Sequence, residues 1–368
     1  MRWIALFAML CCSVGLCQEA KLQTEGGVAP SERREAGAAI ERALHWLEKQ
    51  QDETGAWQPA AIPGVTGLVV MAFLGHGGKE FGESNEHVRK GIQAILKYVK
   101  EDGSITGEMY ANYNTAICMM ALLATENPEY HKAIGNGRKY LLRLQCDEGD
   151  GCQPNNPSYG GIGYDSHGKP CLSNLEKSLE AIKYAESRLG DPEKPENRLH
   201  WDKAIEFLQR CQNLTATNDQ PWAANDGGFI YAPGSSKAGG TRSYGSMTYC
   251  GLKSFIYANV DRSDPRVQAA VSWIKNNYTL DCNPGMGDQG RYYAYHTFAK
   301  ALDVYGQETL TDIKGAKHPW RMEFVSKLLS LQKGDGHWVN ANGRWMESNP
   351  VLVTAYAVLA LEIACSGP

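Results

Sequence analysis

A pair of helical segments recurs along the 368-residue chain, and this repeat constrains the fold more than any other feature. The first segment of each pair is amphipathic, as in residues 43–50, whereas the second is apolar on nearly all sides, as in residues 351–364. The amphipathic segments include Ala43, Ile95, Gly137, Ala204, Ala270 and Val325, and the apolar segments open near Thr66, Thr115, Leu172, Thr248, Thr297 and Thr354. Six such pairs with few strand signals predict an all-α repeat protein.

The polarity of the two kinds of segment predicts where each one lies. A helix that is apolar all round must be buried, whereas a helix with a charged stripe such as Glu41, Arg42 and Glu48 can face solvent. We therefore expect the apolar helices to form an inner ring and the amphipathic helices an outer ring. Six hairpins in this arrangement form a closed (α/α)6 toroid, which we expect as one domain over residues 36–365.

The N-terminus has the pattern of a secretory signal. Met1-Arg2 precedes an apolar run that ends at Cys17 and is shorter than the ~20 residues of a membrane-spanning helix. Residues 1–17 are predicted to be a signal peptide and residues 18–35 a flexible segment, so the protein is expected to be exported, either to a periplasm or outside the cell. Lipoprotein anchoring at Cys17 is the second interpretation, although Leu16 is bulky for such a site.

Export would allow disulfide bonds to form. Of the eleven cysteines, three lie in the signal, which leaves eight whose pairing the sequence does not reveal. Cys146, Cys152 and Cys171 flank a glycine-rich loop and are the best candidates for a disulfide bond. Cys118 and Cys365 lie in apolar helical segments and are expected to be buried thiols.

Charge and hydropathy exclude two classes of partner. The formal net charge of −4 gives no basic footprint for a nucleic acid. No later apolar run is long enough to span a bilayer, so no transmembrane segment is expected in the mature chain.

Two loops contain the pattern Gln-x-x-x-Gly-x-Trp, from Gln51 to Trp57 and from Gln332 to Trp338. This pattern resembles the repeat motif of squalene and oxidosqualene cyclases. Over roughly residues 36–365 the hairpins are similar to those of the superfamily that also contains the protein prenyltransferase β-subunits. The resemblance implies a closed toroid and an isoprenoid-like ligand. It also implies that the Gln caps an outer helix and that the Trp stacks beneath it, which ties neighbouring hairpins together.

The catalytic motifs of these families are missing. The chain has neither the Asp-x-Asp-Asp motif of the cyclases nor an Asp-Asp-x-x-Asp motif for a metal-bound diphosphate. The position of the prenyltransferase Asp-x-Cys zinc ligands falls near Ser246 and Thr248, which cannot replace them. His296 resembles the remaining His ligand, but one ligand is poor support for zinc. We therefore expect no bound metal and no cofactor.

The loops that lead from outer to inner helices should all open at one mouth of the toroid. The positive ends of the inner-helix dipoles converge there, which favours a small apolar or amphiphilic ligand with a polar or anionic head. The segment Gly285–Lys300 is expected to line this mouth. The candidate catalytic residues are His296, Asp288 and Tyr249. The candidate ligand-binding residues are aromatic or basic: Tyr110, Tyr113, Trp222, Arg242, Tyr244, Arg291, Tyr292, Tyr293 and Tyr295.

Structural roles for the same residues remain open. The tyrosines can be core residues, His296 can simply bond a loop, and Asp288 can pair with Arg291. Tyrosine rings can hold a cation or stack on sugars. The leading functional hypothesis is therefore a toroid that binds or transforms an isoprenoid-like ligand. A secreted polysaccharide lyase, with Arg242 or Arg291 as base, and a non-catalytic scaffold for a protein or peptide are the alternatives.

Overall fold

A computed structural model describes residues 27–59, 61–166, 168–190 and 198–367. The predicted signal peptide and the first half of the predicted flexible segment, residues 18–26, lie outside these residues. The first helix begins at Pro30, before the predicted domain boundary at residue 36. The Arg33 side chain in its first turn donates hydrogen bonds to the carbonyl oxygens of Cys365 and Gly367, at 2.7 Å each. This segment is therefore joined to the C-terminal helix.

Twelve of the described helices form six consecutive pairs, and a single-turn helix, α3, follows the first pair. In chain order the helices are α1 (Pro30–Glu48), α2 (Pro63–His76), α3 (Gly78–Phe81), α4 (Glu86–Leu96), α5 (Ala111–Ala124), α6 (His131–Leu142), α7 (Leu172–Leu189), α8 (Trp201–Cys211), α9 (Gly245–Tyr257), α10 (Pro265–Asn276), α11 (Arg291–Tyr305), α12 (Trp320–Leu331) and α13 (Pro350–Ser366). Two short antiparallel strands, β1 (Thr309–Thr311) and β2 (Lys317–Pro319), precede α12 and place Leu310 opposite His318. Short 3-10 turns span Pro128–Tyr130, Glu148–Asp150 and Arg344–Met346.

The inner helices close into a ring. Helices α2, α5, α7, α9, α11 and α13 each pack against the next, and α13 packs back against α2. Helices α1, α4, α6, α8, α10 and α12 form the outer layer, and α1 meets α12. Helices α2 and α13 are buried on nearly all sides, as their apolar sequences require. The predicted (α/α)6 toroid with apolar inner helices is confirmed.

A glycine in the loop after an outer helix packs against the backbone of the next outer helix. Gly55 has a φ of +86°, and a Cβ added to it would lie 2.6 Å from the carbonyl oxygen of Lys90. Gly336 has a φ of +103° and would place a Cβ 2.6 Å from the carbonyl oxygen of Arg42. Because Arg42 lies in α1, the second contact closes the outer layer between the last hairpin and the first.

The repeated loop ties neighbouring hairpins together as expected, but the tryptophan and not the glutamine caps the outer helix. The Trp57 indole N–H donates to the carbonyl oxygen of Leu47 at 2.7 Å, so the indole caps the end of its own outer helix. The Gln51 amide donates to the carbonyl oxygen of His87 at 2.8 Å and therefore reaches the next outer helix. The last loop repeats both contacts, Trp338 Nε1 to Leu328 O at 2.8 Å and Gln332 Nε2 to Ala39 O at 2.8 Å.

The repeated threonines join the same loops to the inner helices. The Thr66 hydroxyl accepts a hydrogen bond from the backbone N–H of Trp57 at 3.1 Å, and Thr354 accepts one from Trp338 at 3.0 Å. Thr297 differs, because its hydroxyl donates to the carbonyl oxygen of Tyr293 within its own helix. The threonine pattern therefore marks the point at which most loops enter the inner ring.

A disulfide bond joins Cys146 to Cys152, two of the three predicted candidates, whereas Cys171 is a free, buried thiol. Cys118 is a buried thiol as expected, and Cys365 is a partly buried one. None of the helices in the described ranges combines the length and apolar character needed to cross a lipid bilayer.

Candidate functional site

All six inner helices contribute to a cavity of about 180 Å³ at the end of the toroid where they begin. Its upper wall consists of loop residues and its lower wall of residues from the first two turns of the helices. No charged side chain lines it among the described residues. The lining residues are Ile62, Val65, Tyr110, Tyr113, Tyr164, Ser173, Asn174, Tyr231, Tyr244, Ser246, Met247, Tyr293, Trp345, Met346, Leu352 and Tyr356.

Strained backbone is concentrated at this cavity. Five non-glycine residues in the described ranges have positive φ, and three of them line it: Tyr110 (59°), Trp345 (55°) and Met346 (66°). Such conformations cost free energy for residues with a Cβ and persist where the surrounding structure imposes them. Tyr110 and Trp345 are also 40% and 42% exposed, so two large aromatic rings stand at the rim.

The loop that carries Trp345 is held by a buried carboxylate. The Glu347 side chain accepts hydrogen bonds from the backbone N–H groups of Tyr292 at 3.2 Å and Tyr293 at 2.8 Å, at the start of α11. It also accepts one from the Asn340 amide at 2.6 Å. Burial raises the pKa of Glu347, although these hydrogen bonds oppose the shift. Glu347 therefore caps α11 and fixes the loop above the cavity relative to Tyr293 below it.

Four of the predicted site residues lie together in this cavity: Tyr110, Tyr113, Tyr244 and Tyr293. The Tyr113 hydroxyl lies 2.9 Å from that of Tyr356, so α5 and α13 are bridged across the cavity wall. Burial raises the pKa of Tyr113 to about 12, and its hydroxyl therefore stays protonated at neutral pH.

The structure places the predicted residues Tyr249, Tyr292 and Tyr295 away from the cavity. Tyr249 packs on Phe298 with ring centroids 5.3 Å apart. The Tyr295 hydroxyl donates to the carbonyl oxygen of Leu280 at 2.6 Å, and its ring packs edge-on against Tyr292. Successive residues of a helix point in directions about 100° apart, so Tyr293 alone of the α11 tyrosines lines the cavity.

Four further predicted site residues lie outside the cavity, three of them in loops and Arg291 at the start of α11. Asp288 and Arg291 form an ion pair, in which the Asp288 side chain is 52% exposed. The Arg242 guanidinium bonds the backbone of its own loop at Ala238, and the Trp222 ring packs over Gly234. From the segment 285–300, which was expected to line the mouth, only Tyr293 contributes to the cavity lining.

His296 lies below the cavity. It is 1% exposed, and its ring stacks on Tyr356 with centroids 5.4 Å apart. Neither ring nitrogen has a hydrogen-bond partner within the described part of the chain. Burial, and then the nearby Lys300 amine, lower the pKa of His296 well below its ordinary value, so the imidazole is neutral.

A buried cluster of charged side chains, which we call the central cluster, lies on the inner helices and comprises Glu176, Lys177, Glu180, Lys253 and Lys300. Lys253 Nζ lies 3.0 Å from Glu180 Oε2, and Lys300 Nζ lies 2.7 Å from Glu180 Oε1. Lys253 also pairs with Glu176. The Lys300 side chain is 15% exposed, and the other four are nearly inaccessible.

The electrostatics of the central cluster follow from burial and mutual contact. Burial would raise the pKa of Glu180, but Lys253 and Lys300 overcome it and hold that pKa well below the ordinary value. Burial lowers the pKa of Lys300 to about 8 against the opposing influence of Glu180. Sequence reasoning missed this cluster, although a signal existed: Lys253 and Lys300 are charged residues within segments that were predicted to form the inner ring.

The described residues contain no group of three or more His, Cys, Asp or Glu side chains that could hold a metal ion. At the position that the prenyltransferase resemblance gives to two zinc ligands, Ser246 lines the cavity and receives a hydrogen bond from Asn283. The Thr248 hydroxyl accepts a hydrogen bond from the backbone N–H of Phe229. These two side chains do not fit a zinc site, because neither supplies the thiolate, imidazole or carboxylate that zinc prefers.

Comparison with known proteins identifies the fold. No family model and no curated protein matches the sequence. A variant of the type II terpene cyclase MstE from Scytonema, in complex with the substrate geranylgeranyl dihydroxybenzoate, superposes with a TM-score of 0.55 at 12% identity, over 92% of this chain and 99% of that chain. A possible member of the GH105 family from Salmonella enterica gives a TM-score of 0.55 at 12% identity, over 96% of this chain and 98% of that chain. The expected likeness to the cyclase toroids is confirmed at the level of the fold.

Proposed function

We propose that the protein binds a small, isoprenoid-like ligand with a polar head in the tyrosine-lined cavity. The observation that carries this proposal is the composition of the cavity wall. Apolar side chains such as Val65, Met247 and Leu352 suit a hydrocarbon chain, and the hydroxyl groups of the tyrosines can bond a head group. The terpene cyclase with the same fold, in complex with a geranylgeranyl compound, supports this choice of ligand.

Binding is favoured over polysaccharide cleavage. A lyase needs a basic residue close to acidic groups, and the candidate bases Arg242 and Arg291 lie outside the cavity. Glycoside hydrolysis commonly uses a pair of carboxylic acids, and no Asp or Glu is among the described residues that line the cavity. Of the three candidate catalytic residues, only His296 lies beside the cavity, through its contact with Tyr356.

Export is part of the proposal. The signal-like pattern at residues 1–17 motivates it, and the Cys146–Cys152 bond supports it because disulfide bonds persist in oxidising compartments. N-terminal sequencing of the protein purified from a secreting host tests it. Cleavage after the apolar run is the expected result, and an intact Met1 on a protein that stays inside the cell would contradict export.

Trp345 provides a direct test of ligand binding, because it is the tryptophan among the described cavity-lining residues. Farnesol should change its fluorescence saturably, and the change should disappear in Trp345→Phe. Tyr110→Ala should weaken farnesol binding about five- to tenfold, because one aromatic wall of the cavity is lost. Tyr184→Ala is the matched control, since Tyr184 is similarly exposed, at 36%, but lies on α7 outside the cavity.

Native mass spectrometry of the purified protein distinguishes the alternatives. A co-purifying lipid with saturable farnesol binding would support the proposal. A bound glycan without farnesol binding would support the polysaccharide hypothesis, and binding of neither compound would favour a scaffold.

A further inference from the structure

Lys177 lies directly beneath the cavity. It is on α7, one helical turn after Ser173 and Asn174, which line the cavity, and residues three or four apart share a helix face. Its Nζ lies 5.5 Å from the centroid of the Tyr293 ring, which also lines the cavity. The Lys177 amine is thus separated from the cavity by one layer of side chains.

The Lys177 amine is the least satisfied of the three amines in the central cluster. Its side chain is 3% exposed, and Nζ lies 3.1 Å from Oε2 of the adjacent Glu176. Within the described part of the chain, however, Nζ makes no hydrogen bond. Lys253 and Lys300, by contrast, both donate to Glu180. A buried ammonium carries three donors, and leaving them unused is costly.

The central cluster contains one more amine than carboxylate. Lys177, Lys253 and Lys300 face Glu176 and Glu180, and the nearby His296 is neutral. A single additional negative charge would balance the cluster, whereas a diphosphate would exceed that balance. Buried charges are stable only when they are paired and hydrogen-bonded.

The start of α7 adds a second attraction for an anion. The N-cap residue Cys171 provides no side-chain cap, and the first-turn residues Ser173 and Asn174 reach the cavity wall. The positive end of the dipole of this 18-residue helix therefore points towards the cavity. Lys177 and the α7 N-terminus act on the same side of the cavity.

We propose that the ligand is a long-chain carboxylic acid whose single carboxylate binds at the N-terminus of α7, where the Lys177 amine, one layer of side chains away, balances its charge. This inference rests on the proposed function of the cavity and specifies the head group. The hydrocarbon chain would lie along the apolar wall, and the rim aromatics Tyr110 and Trp345 would cover it.

The experiment compares farnesoic acid, farnesol and farnesyl diphosphate as ligands at neutral pH, with Trp345 fluorescence and calorimetry as readouts. We expect the acid to bind about tenfold or more tightly than the alcohol, because a charge-assisted hydrogen bond replaces a neutral one. In Lys177→Met the acid and the alcohol should bind about equally. Lys183→Met, on the same helix but near Trp201 outside the cavity, should keep the preference of the wild type.

The outcomes separate the two proposals. Equal binding of acid and alcohol by the wild type, or tighter binding of the diphosphate, would overturn the carboxylate inference and leave the ligand cavity intact. Failure of all three compounds to bind would overturn both proposals. If Lys177→Met does not fold, the order of affinities for the wild type still tests the carboxylate inference. Lys177→Arg keeps the positive charge and should retain the preference for the acid.

Discussion

The hydroxyl groups of Tyr113 and Tyr356 lie 2.9 Å apart and connect α5 to α13, two inner helices that are separated in the ring by α2. Both tyrosines line the cavity, and Tyr356 also stacks on His296 below it. This pair therefore joins the ligand cavity to the polar centre of the toroid.

Removal of either hydroxyl should reveal this coupling. Tyr113→Phe and Tyr356→Phe should each lower the free energy of unfolding by about 0.5–1.5 kcal/mol, because each leaves the other hydroxyl without its partner. The double variant should cost little more than one single variant. Chemical denaturation of all four proteins measures the coupling, and additive losses would show that the two hydroxyl groups are independent.

Loss of Lys253 and loss of Lys177 from the central cluster should have different effects on the stability of the protein. Lys253→Met leaves Glu176 and Glu180 with fewer partners and should lower the free energy of unfolding by about 3–5 kcal/mol. Lys177→Met leaves two amines facing two carboxylates, and it should change stability by less than about 1 kcal/mol or increase it. Thermal unfolding of the two variants without ligand measures both effects. Equal destabilisation would mean that Lys177 is a structural member of the cluster.

Glu180 should make stability dependent on pH in the acid range. Its pKa in the folded protein lies well below the ordinary value of 4.5, because Lys253 and Lys300 outweigh the effect of burial. The resulting stabilisation is complete above 4.5 and is lost as the pH falls towards the lower folded pKa. Glu180→Gln should therefore reduce the dependence of the unfolding free energy on pH between about pH 5 and pH 3. The exposed Glu101→Gln is the control and should keep the wild-type slope.

Ring closure should depend on Gly336. Gly336→Ala places a Cβ 2.6 Å from the Arg42 carbonyl oxygen at a φ of +103°. We expect a loss of about 1–3 kcal/mol in unfolding free energy. Gly334→Ala in the same loop is the matched control, because a Cβ there meets no atom within 4 Å. Denaturant unfolding of both variants checks the prediction, and equal stabilities would show that the loop relaxes without weakening the closure.

The architecture could be predicted because burial follows polarity. Segments such as residues 351–364 are apolar all round and can only be inside, and the repeated loops from Gln51 and Gln332 mark the ends of outer helices. The roles of individual residues within those loops could not be predicted. The sequence does not show that the Trp57 indole caps its own helix while the Gln51 amide reaches the next, because that depends on how neighbouring hairpins approach each other.

The rotation of each inner helix about its own axis determines which of its side chains line the cavity. Among the consecutive aromatic residues of α11, Tyr293 lines the cavity while Tyr292 and Tyr295 pack elsewhere, and no local pattern distinguishes them. The charges of α7 illustrate the same limit, because the sequence does not show which residues Glu176 and Lys177 meet in the folded chain. Hydrophobic periodicity alone therefore determined the secondary structure and the two layers. Closure of the ring brought α7, α9 and α11 together around one axis, and only this packing made their polar residues a buried, charged centre beneath the cavity.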